Sequence, residues 1–332
     1  MTQQYQFLVD SLVSIGLATV ADQYCLVAED QVINHVDGDK LIELYQRYQK
    51  PLLLFLDSNP FSNAYYYDIL KICDQINVPV KILSGNALHF FEGNKQLIYY
   101  PTWFFQQRQQ RNFQKSKKNK KYRFSFLSNQ PRFHRLYLYQ LCKSYISDQD
   151  CFAVSLNNFA SQQSHLRAHV QEHLGSAIDI TVDLPFASIM AKDRYYKSLV
   201  CNPTIVDYSN QHPAYQAMIN ITGESGFESD QVFITEKTWK PIRSKCLTIT
   251  YGNEHTVDVL KRFGFQSNQL LDQDDNIVNK AQMIADQMQS YSYEDCCKIY
   301  QHSSEILQHN MERFYGDDVV NMFVTHIENQ LK

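Results

Sequence analysis

The chain has 332 residues, of which 44% are hydrophobic and 20% are charged, and its formal net charge is −4. This balance is that of a globular protein, and the length is comfortable for two hydrophobic cores. Ten glycines without a G-x-G-x-x-G pattern exclude a glycine-rich dinucleotide loop, and eight cysteines without C-x-x-C exclude a zinc knuckle or a redox dithiol. The start lacks a signal-peptide pattern, and no apolar run approaches the ~20 residues of a spanning helix. We therefore expect a cytoplasmic protein with reduced cysteines and no membrane span.

The charge is unevenly distributed along the chain. Eight basic residues and no acidic residue lie between positions 108 and 123. They are Arg108, Arg111, Lys115, Lys117, Lys118, Lys120, Lys121 and Arg123. Such a contrast with an acidic remainder indicates a linker or a contact with an anionic partner.

The N-terminal third alternates between predicted strands and helices. Strands are predicted at 24–28, 52–57 and 78–83, and helices at 39–49 and 65–75. The run 52–57 is apolar until its last residue, which is typical of a strand buried on both faces. This β-α-β succession predicts a parallel sheet with right-handed crossovers.

The alternation restarts after the basic, glutamine-rich stretch 106–121, which we interpret as a connector. Strands are predicted at 123–127, 151–155, 217–222 and 247–251, helices at 132–145, 162–174, 236–243 and 255–263, and mostly helix from 275 onward. The prediction is an α/β fold of two Rossmann-like lobes with a helical C-terminal tail. Its boundaries are an acceptor-side lobe at 1–107, a connector at 108–121, a nucleotide-sugar lobe at 122–290 and final helices at 291–332.

The segment 233–241, Phe-Ile-Thr-Glu-Lys-Thr-Trp-Lys-Pro, is the most informative in the chain. Thr235 is placed to cap a helix, because its hydroxyl can accept a hydrogen bond from a backbone N–H two or three residues later. Glu236 and Lys237 then lie at the positive end of that helix, where anions are favoured. A carboxylate suits a ribose diol, and a lysine beside exposed amides suits a diphosphate. The segment indicates a nucleotide-sugar site, with ordinary helix capping as the alternative.

A second group of polar residues follows the predicted strand 123–127. In open α/β sheets, ligands collect beyond the carboxyl ends of the strands. Arg132 and Arg135 fall in the first turn of the next helix, one turn apart on one face. Arginine forks suit phosphate oxygens, and a bound anion would offset the cost of two exposed cations at a helix start. A solvated arginine face is the alternative.

A third element is Glu224, which lies just past the strand 217–222 and ahead of Glu236. Taken alone, its segment is also compatible with a polar turn. Its interest comes from its position between the other two elements.

Taken in order, these pieces resemble the donor-binding half of the α1,3-fucosyltransferase family and its viral and bacterial relatives. Ser128-Asn129, followed by Arg135, matches the family's Ser-Asn and helix-opening arginine, and Ile234-Thr-Glu-Lys237 matches its Val-Thr-Glu-Lys. Thr222-Gly-Glu-Ser225 matches the family's Phe-Glu-Asn-Ser only at Glu224 and Ser225, which leaves the sugar open. The sequence Thr-Glu-Lys-Thr-Trp-Lys-Pro is also similar to a segment of glycosyltransferase-like proteins from phages and bacteria. The resemblance covers about residues 122–265.

This resemblance implies a glycosyltransferase of the GT-B type that uses a nucleotide diphosphate sugar as donor and needs no cofactor. It implies that Glu236 binds the donor ribose, that Arg135 and Lys237 hold the diphosphate and that Glu224 lies near the sugar, where it is a candidate catalytic residue. Ser128 and Asn129 belong to the same donor-binding element. Enzymes of this type work without a divalent metal, because cationic side chains and helix N-termini stabilise the departing nucleotide diphosphate. The acidic groups at 272–275 and 317–318 are the alternative sites for a metal.

Inverting transfer also needs a base that takes the proton of the acceptor hydroxyl. Asp57 ends the most buried strand of the first lobe and is the first candidate, although an Asp in Asp-Ser-Asn-Pro can also be a turn former. Glu29 and Asp30 follow the first strand and are rivals. His89 is a further candidate, with a structural role as its alternative.

The acceptor remains open at this level, between a glycan or another hydroxyl compound and a hydroxylated base in DNA. The basic stretch 108–123 favours DNA, because its cations would contact phosphates and give salt-dependent binding. Lysine runs in solvated loops are the common alternative. A third hypothesis is a non-catalytic protein that binds nucleic acid or a partner through the same stretch.

Overall fold

The computed structural model describes Leu12, Leu17 and residues 23–28, 38–56, 63–109, 120–128, 132–154, 216–224, 232–253, 255–267 and 277–332. Within these residues the chain is an α/β protein with two separate four-stranded parallel sheets. No helix in these ranges is both long enough and apolar enough to cross a membrane.

The first sheet is formed by the apolar runs of the N-terminal third. Its strands are β1 (Cys25–Ala28), β2 (Leu52–Leu56), β3 (Val80–Ser84) and β4 (Leu97–Tyr99), with helices α1 (Gly38–Tyr48) and α2 (Asn63–Gln75) between the first three and α3 (Thr102–Gln109) after the last. The spatial order is β1-β2-β3-β4, so each strand is added beside the previous one. All five residues of β2 are buried, as expected for a strand covered on both faces.

The second sheet is formed by the strands that follow the basic stretch. They are β5 (Tyr122–Ser128), β6 (Cys151–Val154), β7 (Ala217–Gly223) and β8 (Leu247–Tyr251), and the helices around them are α4 (Phe133–Cys142), α5 (Glu236–Arg243) and α6 (Thr256–Arg262). The spatial order is β6-β5-β7-β8. β5 and β7 are therefore neighbours in space although β6 lies between them in sequence.

Four helices complete the chain, and the last of them returns to the first sheet. They are α7 (Ile277–Ser290), α8 (Tyr293–His302), α9 (Ser304–Tyr315) and α10 (Asp317–Leu331). The end of α10 accepts a 2.5 Å hydrogen bond from Tyr24 Oη at the carbonyl of Leu331, and a second from Lys81 Nζ at the carbonyl of Gln330. Helix α10 therefore braces the first sheet.

An aromatic core connects the two halves of the molecule. The ring centroid of Phe323 on α10 lies 5.2 Å from that of Phe104 on α3, 5.9 Å from that of Tyr99 on β4 and 4.9 Å from that of Phe263 at the end of α6. These rings are almost completely buried and belong to one hydrophobic cluster. Because aromatic pairs contribute beyond their buried area, this cluster fixes the two sheets against each other.

The α/β class, the two parallel sheets and the helical C-terminal region confirm the coarse prediction from the sequence. The segment 97–109 differs, because β4 and α3 were not predicted and α3 extends into the stretch assigned to the connector. β4 has only three residues, too few for a periodic pattern to be recognised. The predicted helix 162–174 lies outside the described residues.

Arg123, the last residue of the basic stretch, is buried in an ion pair. Its Nη2 lies 2.7 Å and its Nε 3.1 Å from the carboxylate of Asp150, which also accepts hydrogen bonds from the backbone and hydroxyl of Ser147. The guanidinium also donates to the carbonyls of Tyr145 and Tyr291. The pair therefore ties β5 to the loop before β6 and to the end of α7.

We predict that Asp150→Asn will lower the free energy of unfolding by about 3 kcal/mol, because it leaves the guanidinium of Arg123 buried without its counter-charge. Urea denaturation of both proteins will measure the change. Glu294→Gln is the matched control, since Glu294 pairs with Lys298 on the exposed face of α8, and its loss should cost less than about 0.5 kcal/mol. Equal costs for the two variants would contradict the prediction.

Candidate functional site

The second sheet reverses its strand order between β5 and β7. After β5 the described chain adds β6 on one side and later β7 on the other, which makes the gap between β5 and β7 a topological switch point. Ligands of open parallel sheets bind at such points, beyond the carboxyl ends of the strands. α4 begins shortly after β5, and Glu224 directly follows β7. Two separate sequence elements therefore meet at one edge of the sheet.

Glu224 joins the end of β7 to the start of α5. Its Oε1 accepts hydrogen bonds from Thr238 Oγ1 at 2.6 Å and from the backbone N of Thr235 at 3.2 Å, and its Oε2 accepts from Thr235 Oγ1 at 2.7 Å. The residue is only 1% exposed. A carboxylate in this position is favoured by the positive end of the helix, so Glu224 holds α5 on the sheet.

Two residues of α4 attach to Glu224 through its backbone carbonyl. Arg135 Nη2 donates to this oxygen at 3.0 Å, and His134 Nε2 lies 3.0 Å from it. Gly223 permits the close approach, because a Cβ there would lie 3.0 Å from the ring of Phe126 and 3.3 Å from Cγ of Arg135. One residue, Glu224, therefore connects the starts of both helices.

Thr235 caps α5, which confirms the prediction from the sequence. Its Oγ1 accepts a 3.3 Å hydrogen bond from the backbone N of Lys237 and a 3.2 Å hydrogen bond from Lys237 Nζ. Lys237 Nζ also lies 3.4 Å from Glu236 Oε1, and the two side chains remain 23% and 20% exposed. The amides of Thr235 and Lys237 are bonded within the protein, contrary to the expectation of exposed amides. An anion at this site would therefore meet cationic side chains.

A buried polar ladder supports the first turn of α5 from below. Asn220 Nδ2 donates to Ser125 Oγ at 2.7 Å, and Asn220 Oδ1 accepts from Thr222 Oγ1 at 2.9 Å. Thr222 Oγ1 also lies 3.2 Å from the carbonyl of Lys237. These three polar residues lie on β5 and β7, and buried polar networks of this kind rigidify what they contact.

The cations of the two elements act on one another. Burial, together with the charge of Arg132, lowers the pKa of Arg135 to about 10, while Glu224 and Glu236 oppose this shift. Burial, with the charges of Arg135, Arg132 and Lys237, holds the pKa of His134 well below its usual range despite its bond to Glu224. The imidazole is therefore neutral near pH 7, and cations from both α4 and α5 converge on it.

The same convergence affects α5. Burial would raise the pKa of Glu236, but the charges of Lys237 and Lys240 outweigh it and hold the pKa below its usual value. Burial lowers the pKa of Lys240 to about 8, with Lys237 and Arg243 acting in the same direction and Glu236 against it. We call Arg132, Arg135, Lys237 and Lys240 the arginine–lysine cluster.

Several predicted site residues change role once their surroundings are known. The prediction of two exposed arginines is wrong, because Arg135 is 1% exposed. Arg132, at the N-cap of α4, is half-buried and is the more accessible of the two. Glu224 was a catalytic candidate, but its carboxylate already accepts three hydrogen bonds, which favours a positioning role. Ser128 ends β5 and is 4% exposed. Glu29, Asp57 and Asn129 lie outside the described residues.

The carboxyl end of the first sheet contacts the segment that leads into α5. Asn86, just after β3, accepts a 3.1 Å hydrogen bond at Oδ1 from the backbone N of Val232, and it forms an antiparallel bridge with Phe233. His89 Nδ1 lies 2.7 Å from Ser84 Oγ, and burial lowers the pKa of His89 to about 4. His89 is therefore buried and neutral near pH 7, which favours the structural alternative over a role as catalytic base.

Sequence reasoning missed His134, Thr238 and Lys240. His134 and Thr238 are buried beside Glu224, a contact between positions far apart in the chain that no local pattern reports. Lys240 could have been predicted from its spacing, because it lies three residues after Lys237 and four after Glu236, on the same face of a helix.

The described part of the basic stretch makes contacts within the protein. Arg108 donates to the carbonyls of Phe314 and Gly316 at 2.6 and 2.8 Å, and Lys120 Nζ donates to the carbonyl of Ser244 at 2.9 Å. With the buried Arg123, these residues hold helices and strands together. Arg111, Lys115, Lys117 and Lys118 lie outside the described residues, so the DNA hypothesis rests on them and on the exposed Lys121.

The described acidic residues that were considered as metal ligands, Asp317 and Asp318, form ion pairs instead. Asp317 pairs with Arg108 at 3.2 Å, and Asp318 pairs with Arg313. Within the described ranges no three His, Cys, Asp or Glu side chains come together as metal ligands would. The group at 272–275 lies outside them.

No family model, curated protein or solved structure matches this chain. The geometry of the switch point and its charges therefore carry the functional argument.

We predict that Glu224→Gln will lower the free energy of unfolding by about 1–3 kcal/mol, because an amide has a single acceptor oxygen and cannot keep all three hydrogen bonds that the two carboxylate oxygens accept. The negative charge near Arg135 is also lost. Chemical denaturation will measure the change. Glu236→Gln is the control on the neighbouring, partly exposed carboxyl and should cost less. A Glu224→Gln variant as stable as the parent chain would contradict the linking role of Glu224.

Proposed function

We propose that this protein is a glycosyltransferase that moves a sugar from a nucleotide diphosphate sugar to a hydroxyl acceptor, by an inverting and metal-independent reaction. The observation that carries the proposal is the arginine–lysine cluster at the switch point between β5 and β7. A nucleotide ligand is expected at this place in a parallel sheet, and cations there are the groups that a diphosphate needs.

The charge balance of the site supports a doubly charged ligand. In the part of the site that the structure describes, the four bases of the arginine–lysine cluster face two carboxyl groups, Glu224 and Glu236. Grouping like charges in a partly buried site is costly unless an anion offsets them. A diphosphate diester would neutralise the excess, and it would do so where the departing nucleotide diphosphate accumulates charge during transfer.

Each residue has a role in this scheme. Arg132 and Lys237 bind the diphosphate, and the buried Arg135 adds its positive charge behind them. Glu236 accepts hydrogen bonds from the ribose diol. Glu224 positions α4 and α5 around the ligand. Ser128 and Asn129 border the donor at the end of β5.

We propose a GT-B arrangement, in which the acceptor binds to the first lobe. The parallel strands β1, β2 and β3 end at one edge, and the residues after β3 contact the segment that leads into α5. Asp57 and Glu29 follow two of these strand ends, so they remain the candidate bases for the acceptor hydroxyl. The acceptor is a glycan or another hydroxyl compound.

We predict that a nucleotide diphosphate sugar will raise the melting temperature of the protein, because a ligand that binds only the folded state stabilises it. The measurement is a thermal-shift screen with UDP-glucose, GDP-mannose, GDP-fucose, ADP-glucose, dTDP-glucose and inorganic pyrophosphate. A chain that none of these compounds stabilises or binds would contradict the proposed function.

The diphosphate contacts give a second prediction for any donor found in that screen. Lys237→Met and Arg132→Met should each weaken donor binding about tenfold or more, because each removes a charge-assisted contact worth about 1.5–3 kcal/mol. Calorimetric titration measures the affinity, and Lys298→Met on the exposed face of α8 is the control. Arg135 is less suitable for this test, because its burial makes loss of folding and loss of binding hard to separate.

The same protein can be tested against the other hypotheses. A DNA acceptor predicts binding to duplex DNA that weakens steeply between 50 and 200 mM salt, a dependence expected when several phosphates are contacted. A non-catalytic binding protein predicts DNA or partner binding without stabilisation by any sugar nucleotide. Donor binding that is unaffected by Lys237→Met would count against the assigned site while leaving transfer activity open.

A further inference from the structure

We propose that Lys240 is a further diphosphate-binding residue of the donor site and that it makes donor binding depend on pH. This inference rests on the proposed function, and it adds a residue that neither the family resemblance nor the sequence elements assigned.

The position of Lys240 on α5 directs it toward the site. It lies three residues after Lys237 and four after Glu236, and residues at these spacings are neighbours on one helix face. Side chains of a helix lean toward its N-terminus, so the long stem of Lys240 extends toward the first turn, where Glu236 and Lys237 lie. The charge interactions of Lys240 with both residues agree with this direction.

Among the described residues, the side chain of Lys240 has no hydrogen-bond partner. It is half-buried, and its ammonium group makes no hydrogen bond or ion pair with any described residue. Lys237, by contrast, bonds to Thr235 and lies beside Glu236. A half-buried ammonium group gains from a nearby acceptor, and an anion beside Lys237 would supply one.

Among the described residues, the charged groups that act on Lys240 belong to its own helix. They are Glu236, which favours its charged form, and Lys237 and Arg243, which oppose it. α3, α9, β7 and β8 pack against α5, and no charged group on their described residues contributes. Together with burial, this surplus of like charge lowers the pKa of Lys240 to about 8.

The sign of the pH effect follows from these charges. The protonated ammonium binds a diphosphate, and the ligand in turn raises the pKa of the lysine. Donor affinity should therefore be greatest below pH 8 and should fall as the pH rises above it, by up to about tenfold for each pH unit. The stability of the free protein changes in the opposite sense, because the unfolded chain keeps its lysine protonated up to about pH 10.4.

The test is a set of calorimetric titrations at pH 7 and pH 9, with the compound that binds best among the five sugar nucleotides and pyrophosphate. The parent chain should bind about tenfold more weakly at pH 9. Lys240→Met should be about tenfold weaker already at pH 7 and should lose little more at pH 9. Lys240→Arg should bind tightly at both values, because a guanidinium stays charged across this range.

The ligand also changes its protonation between pH 7 and pH 9, but this affects the affinity of every variant equally. Differences between variants at one pH therefore report on Lys240. Thermal unfolding without ligand shows that each variant is folded, and Lys240→Gln replaces Lys240→Met if the latter does not melt cooperatively. Donor binding by Lys240→Met equal to that of the parent chain at pH 7 would overturn the role of Lys240 and leave the proposed function intact. A parent chain that binds none of the compounds would overturn both.

Discussion

A single buried carboxylate organises the candidate site. Glu224 accepts hydrogen bonds from Thr235 and Thr238 on one helix, while its backbone carbonyl accepts from Arg135 on another. A carboxylate that is 1% exposed is tolerated only when donors satisfy it, and the first turn of α5 supplies those donors. The starts of two helices are therefore fixed to one strand end, and the cations that follow them are brought together.

The electrostatic cost of this arrangement supports the proposed anion site. Cations with little exposure and lowered pKa values, such as Arg135 and Lys240, do not stabilise a fold by themselves. Sites that act on charged groups accept this cost, because preorganised charges need no rearrangement when the ligand arrives. The polar ladder that begins at Asn220 reaches the carbonyl of Lys237 and rigidifies the first turn of α5.

The two lobes are held together independently of that site. The aromatic cluster around Phe323 joins α10 to β4 and to the end of α6, and the bridge between Asn86 and Phe233 lies next to the capping residue Thr235. The edge of the first sheet is thereby kept at a set position relative to α5. In the proposed enzyme, this contact would hold an acceptor on the first lobe close to the donor.

Local pattern determined much of this protein. Apolar runs with short polar breaks set the strands and helices, and the cap at Thr235 followed from its hydroxyl and its position. Only the tertiary structure decided that α4 and α5 begin at one switch point, that Arg135 is buried and that Glu224 is a link between them. The physical reason is that strand order and long-range hydrogen bonds depend on which chain segments pack together. Local sequence patterns do not show which distant residues will be in contact.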